Sequence, residues 1–139
     1  MRKSIQLFSI LLILSCLSCN NSDSEPDTIP DGTFIGTFTV EYMDGRTYSN
    51  PVSVTFKSGE YYNAGNVDKV PAGGSGKFTI SNGLIEFIDE NFWTAEFDWN
   101  LILSGKYSLL VTDAQIRFSA EKHNVGTYTY NLENEVTLN

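Results

Sequence analysis

Residues 33–42 read Thr-Phe-Ile-Gly-Thr-Phe-Thr-Val-Glu-Tyr, and the pattern of this stretch decides the fold. One face of the stretch carries Phe34, Gly36, Phe38, Val40 and Tyr42. The other face carries threonine and glutamate, with Ile35 as its one apolar residue. Apolar residues at every second position indicate a β-strand with one buried face.

The same alternation recurs along the chain. After residue 18, no stretch repeats its apolar residues with the period of an α-helix. The inward positions predicted in the later runs are Val52, Val54 and Phe56; Phe78 and Ile80; Ala95, Phe97, Trp99, Leu101 and Leu103; Tyr107, Leu109 and Val111; Ile116, Phe118 and Ala120; and Tyr128, Tyr130 and Leu132. Turn signals such as Asp44-Gly45, Ser58-Gly59 and Asn82-Gly83 separate the runs. Glycine and asparagine supply the positive φ that tight hairpins need, so successive strands are predicted to be neighbours.

About eight or nine strands in sequence order form a meander, which leaves two exposed edges unless it closes on itself. We therefore predict an all-β domain over residues 33–139, a small antiparallel up-and-down barrel. Gly36 and Gly126 lie where a closing barrel must bend. The loop from Ala64 to Gly76 is long enough to cover an open end. A two-sheet sandwich is the alternative, but its crossings usually need longer connections.

The chain begins with a basic pair, followed by an apolar run from Ile5 to Leu14 and then two cysteines. The run is about ten residues, whereas a membrane-spanning helix needs about 20. This order is typical of a lipoprotein signal peptide, which we assign to residues 1–18.

Two cysteines are candidates for the lipid anchor. The letters of Ile13-Leu14-Ser15-Cys16 fit the lipobox pattern better. Cleavage before Cys16, however, would leave Cys19 as an odd thiol in an oxidising compartment. We therefore favour Cys19, with Cys16 as the alternative.

Residues 19–32 are polar and acidic, and we expect a flexible linker between the lipid and the folded body. Leu17 follows Cys16 and Asn20 follows Cys19, so neither cysteine precedes an aspartate. Resemblance to Gram-negative lipoproteins then implies the outer membrane. Whether the domain faces the periplasm or the cell surface stays open.

The mature chain is strongly acidic. Removal of Arg2 and Lys3 with the leader leaves 7 basic residues against 17 acidic ones, a net charge of −10. Phosphate backbones and anionic headgroups repel such a chain. We therefore expect no nucleic-acid partner, and membrane contact through the lipid anchor only.

The sequence offers no catalytic or metal motif, and we predict neither an enzyme nor a cofactor. His123 is the one histidine and is expected in a hairpin tip, without a second histidine or mature cysteine for a zinc site. The densest acidic group comprises Glu86, Asp89, Glu90 and Asp98. We interpret it as a solvated outer face; a calcium site is the alternative, but the calcium-loop pattern is missing.

Aromatic residues are the remaining functional signal, since most of them fall on inward faces. In a narrow barrel these rings fill the lumen themselves. In a wider one they line an apolar pocket for a small ligand, with tyrosine hydroxyls orienting it. The candidate ligand residues are Phe38, Tyr42, Phe56, Phe97, Trp99 and Tyr128. Trp93 is predicted at the barrel rim.

Three segments behind the leader carry a family resemblance: residues 31–38, 92–99 and 126–130. They resemble the small lipocalin-like envelope lipoproteins of Gram-negative bacteria, with Phe38 where lipocalins have tryptophan. The resemblance implies a lipocalin-like barrel that binds a small hydrophobic ligand. The alternative is a packed barrel that acts as a protein-interaction or inhibitor module in the envelope.

Overall fold

The chain forms a closed barrel of eight antiparallel strands, in a computed structural model that describes residues 28–94, 96 and 98–135. The strands are β1 (Gly32–Tyr42), β2 (Thr47–Lys57), β3 (Glu60–Asn63), β4 (Gly74–Ser81), β5 (Leu84–Asp89), β6 (Gly105–Val111), β7 (Gln115–Lys122) and β8 (Gly126–Asn134). Each strand pairs with the next, and β8 pairs with β1. The predicted all-β up-and-down barrel is confirmed. The predicted leader, with Cys16 and Cys19, lies outside the described residues.

The tight turns form where the sequence predicts them. Ser58 and Gly59 have φ values of 51° and 83°, and Asn82 and Gly83 have 52° and 69°. Two successive positive φ angles are what type I′ hairpins require, and their twist matches that of the flanking strands.

The pairing of β1 with β8 closes the barrel, and two glycines make this seam possible. A Cβ on Gly36 would lie 1.9 Å from the Asn131 carbonyl oxygen, and a Cβ on Gly126 would lie 2.3 Å from that of Glu41. Only a residue without a side chain permits this approach of two backbones. Both glycines are positions at which the sequence predicts that the barrel closes.

The predicted inward faces form the core. Along β1, for example, Phe34, Phe38 and Val40 are buried while the residues between them are not. The largest fully buried side chains include Tyr107, Tyr128, Tyr130, Phe38, Phe56, Phe87 and Phe118. The interior of this barrel is therefore mainly aromatic.

The predicted strand over residues 95–103 is wrong in the described part of that range. Trp99–Leu101 forms one turn of 3-10 helix instead, and Trp99 is 58% exposed rather than inward. Asp98 caps this turn by accepting hydrogen bonds from the backbone and side-chain amides of Asn100, both at 2.9 Å. Local bonds of this kind compete with strand pairing.

The barrel has two unlike ends. The loop end is formed by connections 43–46, 64–73, 90–104 and 123–125. The turn end carries turns 58–59, 82–83 and 112–114 together with the entering segment 28–31. Ile29, which the sequence analysis assigns to the linker, is 7% exposed and packs in the core. The described residues contain no helix with the length and apolar character of a membrane span.

Candidate functional site

Three of the predicted ligand residues belong to a packed interior. The ring of Phe38 lies 4.8 Å from that of Tyr130, and the ring of Tyr130 stacks on that of Phe118 at 4.6 Å, measured between centroids. Phe56 and Tyr128 are likewise buried and in ring contact with their neighbours. Rings at these separations are in van der Waals contact. The middle of the lumen is thus filled by side chains, as eight-stranded barrels permit.

The other three predicted ligand residues lie elsewhere. Tyr42 is half-buried at the end of β1, where it lines a pocket at the loop end. Trp99 is exposed at that same end, and Phe97 lies outside the described residues. The structure therefore does not bring the six residues into one lumen pocket.

A concave pocket at the loop end combines a wall of two tyrosines with charged groups. Its volume is about 560 Å³, within the range of small-ligand sites. Its lining consists of Tyr42, Arg46, Tyr48, Asn50, Asp68, Val70 and Asp98. Strands β1 and β2 supply one wall, and the loops before β4 and β6 supply the other.

The loop at residues 64–73 is fixed over the barrel, as the sequence predicts for a covering loop. The side-chain amide of Asn50 donates to the Val70 carbonyl oxygen at 2.8 Å. The amide of Ala72 donates to the Leu101 carbonyl oxygen at 2.9 Å, which ties this loop to the 3-10 turn. The pocket wall is therefore held by hydrogen bonds from both neighbouring segments.

Tyr42 and Tyr48 form the aromatic wall of the pocket, with their rings edge to face at 6.0 Å. Arg46 lies over the Tyr42 ring at 5.1 Å and donates from Nε to Asp44 Oδ2 at 2.8 Å. Burial raises the pKa of Tyr42; the charge of Asp98 raises it further, and that of Arg46 opposes the shift. Tyr42 is therefore a neutral hydrogen-bonding group at physiological pH.

Below this wall lie the buried Tyr128 and the half-buried Lys122. The Tyr128 hydroxyl is buried and has no hydrogen-bond partner among the described residues. The Tyr128 ring lies edge-on to that of Tyr42 at 6.4 Å. Burial raises the pKa of Tyr128, and the charge of Asp98 adds to this shift. Because Tyr42 lines the pocket and its ring contacts that of Tyr128, the Tyr128 side chain lies behind the pocket wall.

Lys122 ends β7 on its inward face. Its Nζ donates a hydrogen bond to the Asn100 carbonyl oxygen and lies 4.6 Å from the Tyr128 ring centroid. Burial lowers the pKa of Lys122 to about 8, although the charge of Asp98 pulls in the opposite direction. Sequence analysis missed this residue as a site candidate. The sequence did contain a signal: Lys122 follows Ala120 by two positions, so in a strand the two side chains lie on the same face.

Three members of the densest acidic group, Glu86, Asp89 and Glu90, have structural roles on the barrel surface, whereas the fourth, Asp98, lines the loop-end pocket. Asp89 accepts hydrogen bonds from the Ser75 amide at 3.0 Å, from Asn91 at 2.8 Å and from the Trp93 indole. Glu86 is on the outer face, 3.9 Å from Lys106, as predicted from its alternation. In the part of the chain that the structure describes, no three His, Cys, Asp or Glu side chains are grouped to hold a metal ion.

A second depression, of about 750 Å³, lies on the outer wall beside Gly36. Its lining includes Ile35, Thr37 and Ser53. It lies at the seam between β1 and β8, where Gly36 has no side chain to fill the surface. The Tyr128 hydroxyl, which has no partner among the described residues, belongs instead to a side chain that packs on Tyr42 of the loop-end pocket. We therefore take the loop end as the candidate site.

Exposed apolar side chains also gather at the loop end. Phe92 and Val67 are almost fully exposed, and Met43 is 73% exposed. These side chains and the exposed Trp99 lie in three of the connections that form this end of the barrel. We refer to Met43, Val67, Phe92 and Trp99 as the loop-end apolar set.

Comparison with protein-family models, curated proteins and solved structures gave no match to this chain. The geometry of the loop end and the sequence signals therefore carry the functional proposal.

Proposed function

We propose that this protein is a lipid-anchored binding module of the cell envelope, which captures a small ligand in the loop-end pocket on top of a packed barrel. The observation that carries the proposal is the buried Tyr128 hydroxyl, which has no partner among the described residues and belongs to a side chain packed on Tyr42 of the pocket wall. A buried polar group without a hydrogen bond costs about 1–3 kcal/mol. A ligand that reaches this hydroxyl recovers that free energy, which favours a ligand with an apolar body and a polar end.

The resemblance to lipocalin-like lipoproteins supports a role in binding rather than catalysis. Because side chains fill the lumen, we place the ligand site at the mouth of the barrel and not in its middle. Tyr42, one of the ligand residues predicted from sequence, lines this mouth, and Tyr128, another of them, packs against Tyr42 from the interior. Phe38 and Phe56 then serve as the rigid support beneath it.

The leader supports anchoring through Cys19, or through Cys16 as the alternative, in the outer membrane. The described chain enters the barrel at the turn end, through residues 28–31. An anchor on that side leaves the loop end pointing away from the lipid. Intact mass of protein from the membrane fraction tests this: Cys19→Ser is expected to abolish the acyl adduct, whereas Cys16→Ser keeps it. The reverse result assigns Cys16, and no adduct on the unchanged chain refutes anchoring.

Native mass spectrometry of protein purified without denaturation tests ligand capture. We expect a bound small molecule that is lost in Tyr42→Ala. Tyr62→Ala is the matched control, since Tyr62 is an exposed tyrosine on the outside of β3 and does not line this pocket. A mass equal to that of the bare polypeptide, in protein from its natural envelope, would count against the proposal.

The loop-end apolar set favours a second candidate function, contact with another envelope protein. A photo-crosslinking side chain at position 99 is expected to capture a partner in intact cells if this function is correct. The same side chain at Leu110, exposed on the outer wall of β6, is the control. Equal recovery from both positions would refute a specific contact at the loop end.

A further inference from the structure

Lys122 is a lysine on the inward face of the barrel wall. Its position continues the inward series of β7, which includes the buried Ile116 and Phe118. Its Nζ lies 4.6 Å from the ring centroid of Tyr128 and 6.0 Å from that of Tyr107. The amine is therefore surrounded by aromatic faces and by the Asn100 carbonyl oxygen that it contacts.

The groups around this amine select the charge of a ligand. The charge of Asp98 in the loop acts on it, while the rings of Tyr107 on β6 and Tyr128 on β8 lie next to it in the barrel wall. A carboxylate ligand would be repelled by Asp98, and a cationic ligand by Lys122. A neutral carbonyl oxygen suits the site, because the unpartnered Tyr128 hydroxyl can donate a hydrogen bond to it.

We infer that Lys122 captures the aldehyde of a neutral ligand as an imine, an inference that rests on the proposed ligand pocket. The Lys122 nitrogen attacks the carbonyl carbon and gives a carbinolamine. The carbon–oxygen bond of this adduct then breaks, and the oxygen leaves as water with two hydrogens from the amine. No oxidant or reductant takes part. Tyr128 donates a hydrogen bond to the departing oxygen, and Asp98 balances the positive charge when the imine nitrogen takes up a proton from solvent.

Burial favours this chemistry because only the neutral amine is a nucleophile. With its pKa lowered to about 8, Lys122 holds far more neutral amine near pH 7.5 than an ordinary lysine of pKa 10.5. The excess is on the order of 200-fold, and the lower basicity of the nitrogen offsets part of it. Lys122 is therefore expected to react at least about tenfold faster than an exposed lysine.

The experiment traps the imine on the full chain. The protein is exposed briefly at pH 7.5 to benzaldehyde with sodium cyanoborohydride, and the benzylated lysines are located by peptide mass spectrometry. We expect Lys122 to be labelled about tenfold or more ahead of Lys57, which is exposed. Labelling of Lys122 at the rate of Lys57, or below it, overturns the inference.

Two variants separate this inference from the proposed function. Tyr128→Phe removes a hydroxyl that makes no hydrogen bond to the described residues, so the chain is expected to fold while Lys122 labelling slows several-fold. Lys122→Arg is expected to remove the fast site and leave Lys57 labelling unchanged. If labelling at Lys122 is slow but native mass spectrometry still detects a Tyr42-dependent ligand, the inference fails and the pocket stands. If neither is detected, both fail.

Discussion

Replacing Tyr128 by phenylalanine is expected to stabilise this protein, although the residue packs against Tyr42 behind the loop-end pocket. The hydroxyl is buried and unpartnered among the described residues, so its removal ends a desolvation penalty of about 1–3 kcal/mol. The ring contacts with Phe38 and Tyr42 do not depend on the hydroxyl. Allowing for the small gap left by the lost oxygen, we expect the free energy of unfolding to rise by about 1 kcal/mol.

Tyr61→Phe is the matched control, because it makes the same chemical change in the same core. The Tyr61 hydroxyl donates to the Leu103 carbonyl oxygen at 2.6 Å, and Leu103 is fully buried. Its loss leaves that carbonyl unpaired and is expected to lower the free energy of unfolding by about 1–3 kcal/mol. Two identical substitutions are thus predicted to act in opposite directions.

Urea denaturation followed by tryptophan fluorescence measures both effects, with thermal melting as a second readout. A change of 1 kcal/mol corresponds to roughly 4 °C or more in Tm for a domain of this size. Unchanged m values would show that the denatured state is not altered. A loss of stability in Tyr128→Phe comparable to that in Tyr61→Phe would refute the reasoning, because it would mean that the hydroxyl has a partner in the folded protein.

Three further predictions concern the pH response, the seam and the turn end. The pKa of Lys122 is lowered to about 8 in the folded chain, so the unfolded chain binds more protons between pH 8 and its ordinary 10.5. Stability is therefore expected to rise with pH from about 8 to 10, by at most about 1.4 kcal/mol per unit, and Lys122→Met should flatten this rise in urea titrations. Gly36→Ala is expected to cost about 3 kcal/mol or more, because its Cβ would clash with the seam backbone. Gly45→Ala, which meets open space but has a φ of +88°, should cost only about 1 kcal/mol in the same urea experiment. Ile29→Ala is expected to lower the unfolding free energy by about 2 kcal/mol, and no change would show that residues 28–31 are dispensable for the fold.

The barrel itself could be predicted because its information is local. Alternation in β1 and β8 sets which face is buried, and turn pairs such as Asn82-Gly83 set which strands are neighbours. Strand β3 was not singled out, since four residues (Glu60–Asn63) are too few to show a period. Closure of the barrel could be predicted because a meander leaves two unpaired edge strands, and pairing these strands with each other removes both edges.

The loop end was harder to predict because its structure depends on contacts between segments far apart in sequence. The run at residues 95–103 alternates like a strand, yet the Asp98 cap and the bridge between Ile102 and Gly73 hold part of it in another form. Alternation describes burial on one face, whereas Leu101 and Leu103 are buried together with the intervening Ile102. A short apolar run of this kind fits several backbone conformations equally well.

The packing of the barrel interior explains why the candidate site lies at the loop end. An eight-stranded barrel has an interior just wide enough for its own side chains, and here the rings of Phe118, Tyr130 and Phe38 occupy the middle. The last inward position of a strand has core below it and loops above it, so it tolerates a polar group that the middle would not. Tyr42 and Lys122 occupy such positions on β1 and β7. Ligand selectivity should therefore change with substitutions at these strand ends, while substitutions in the ring-filled middle should change stability alone.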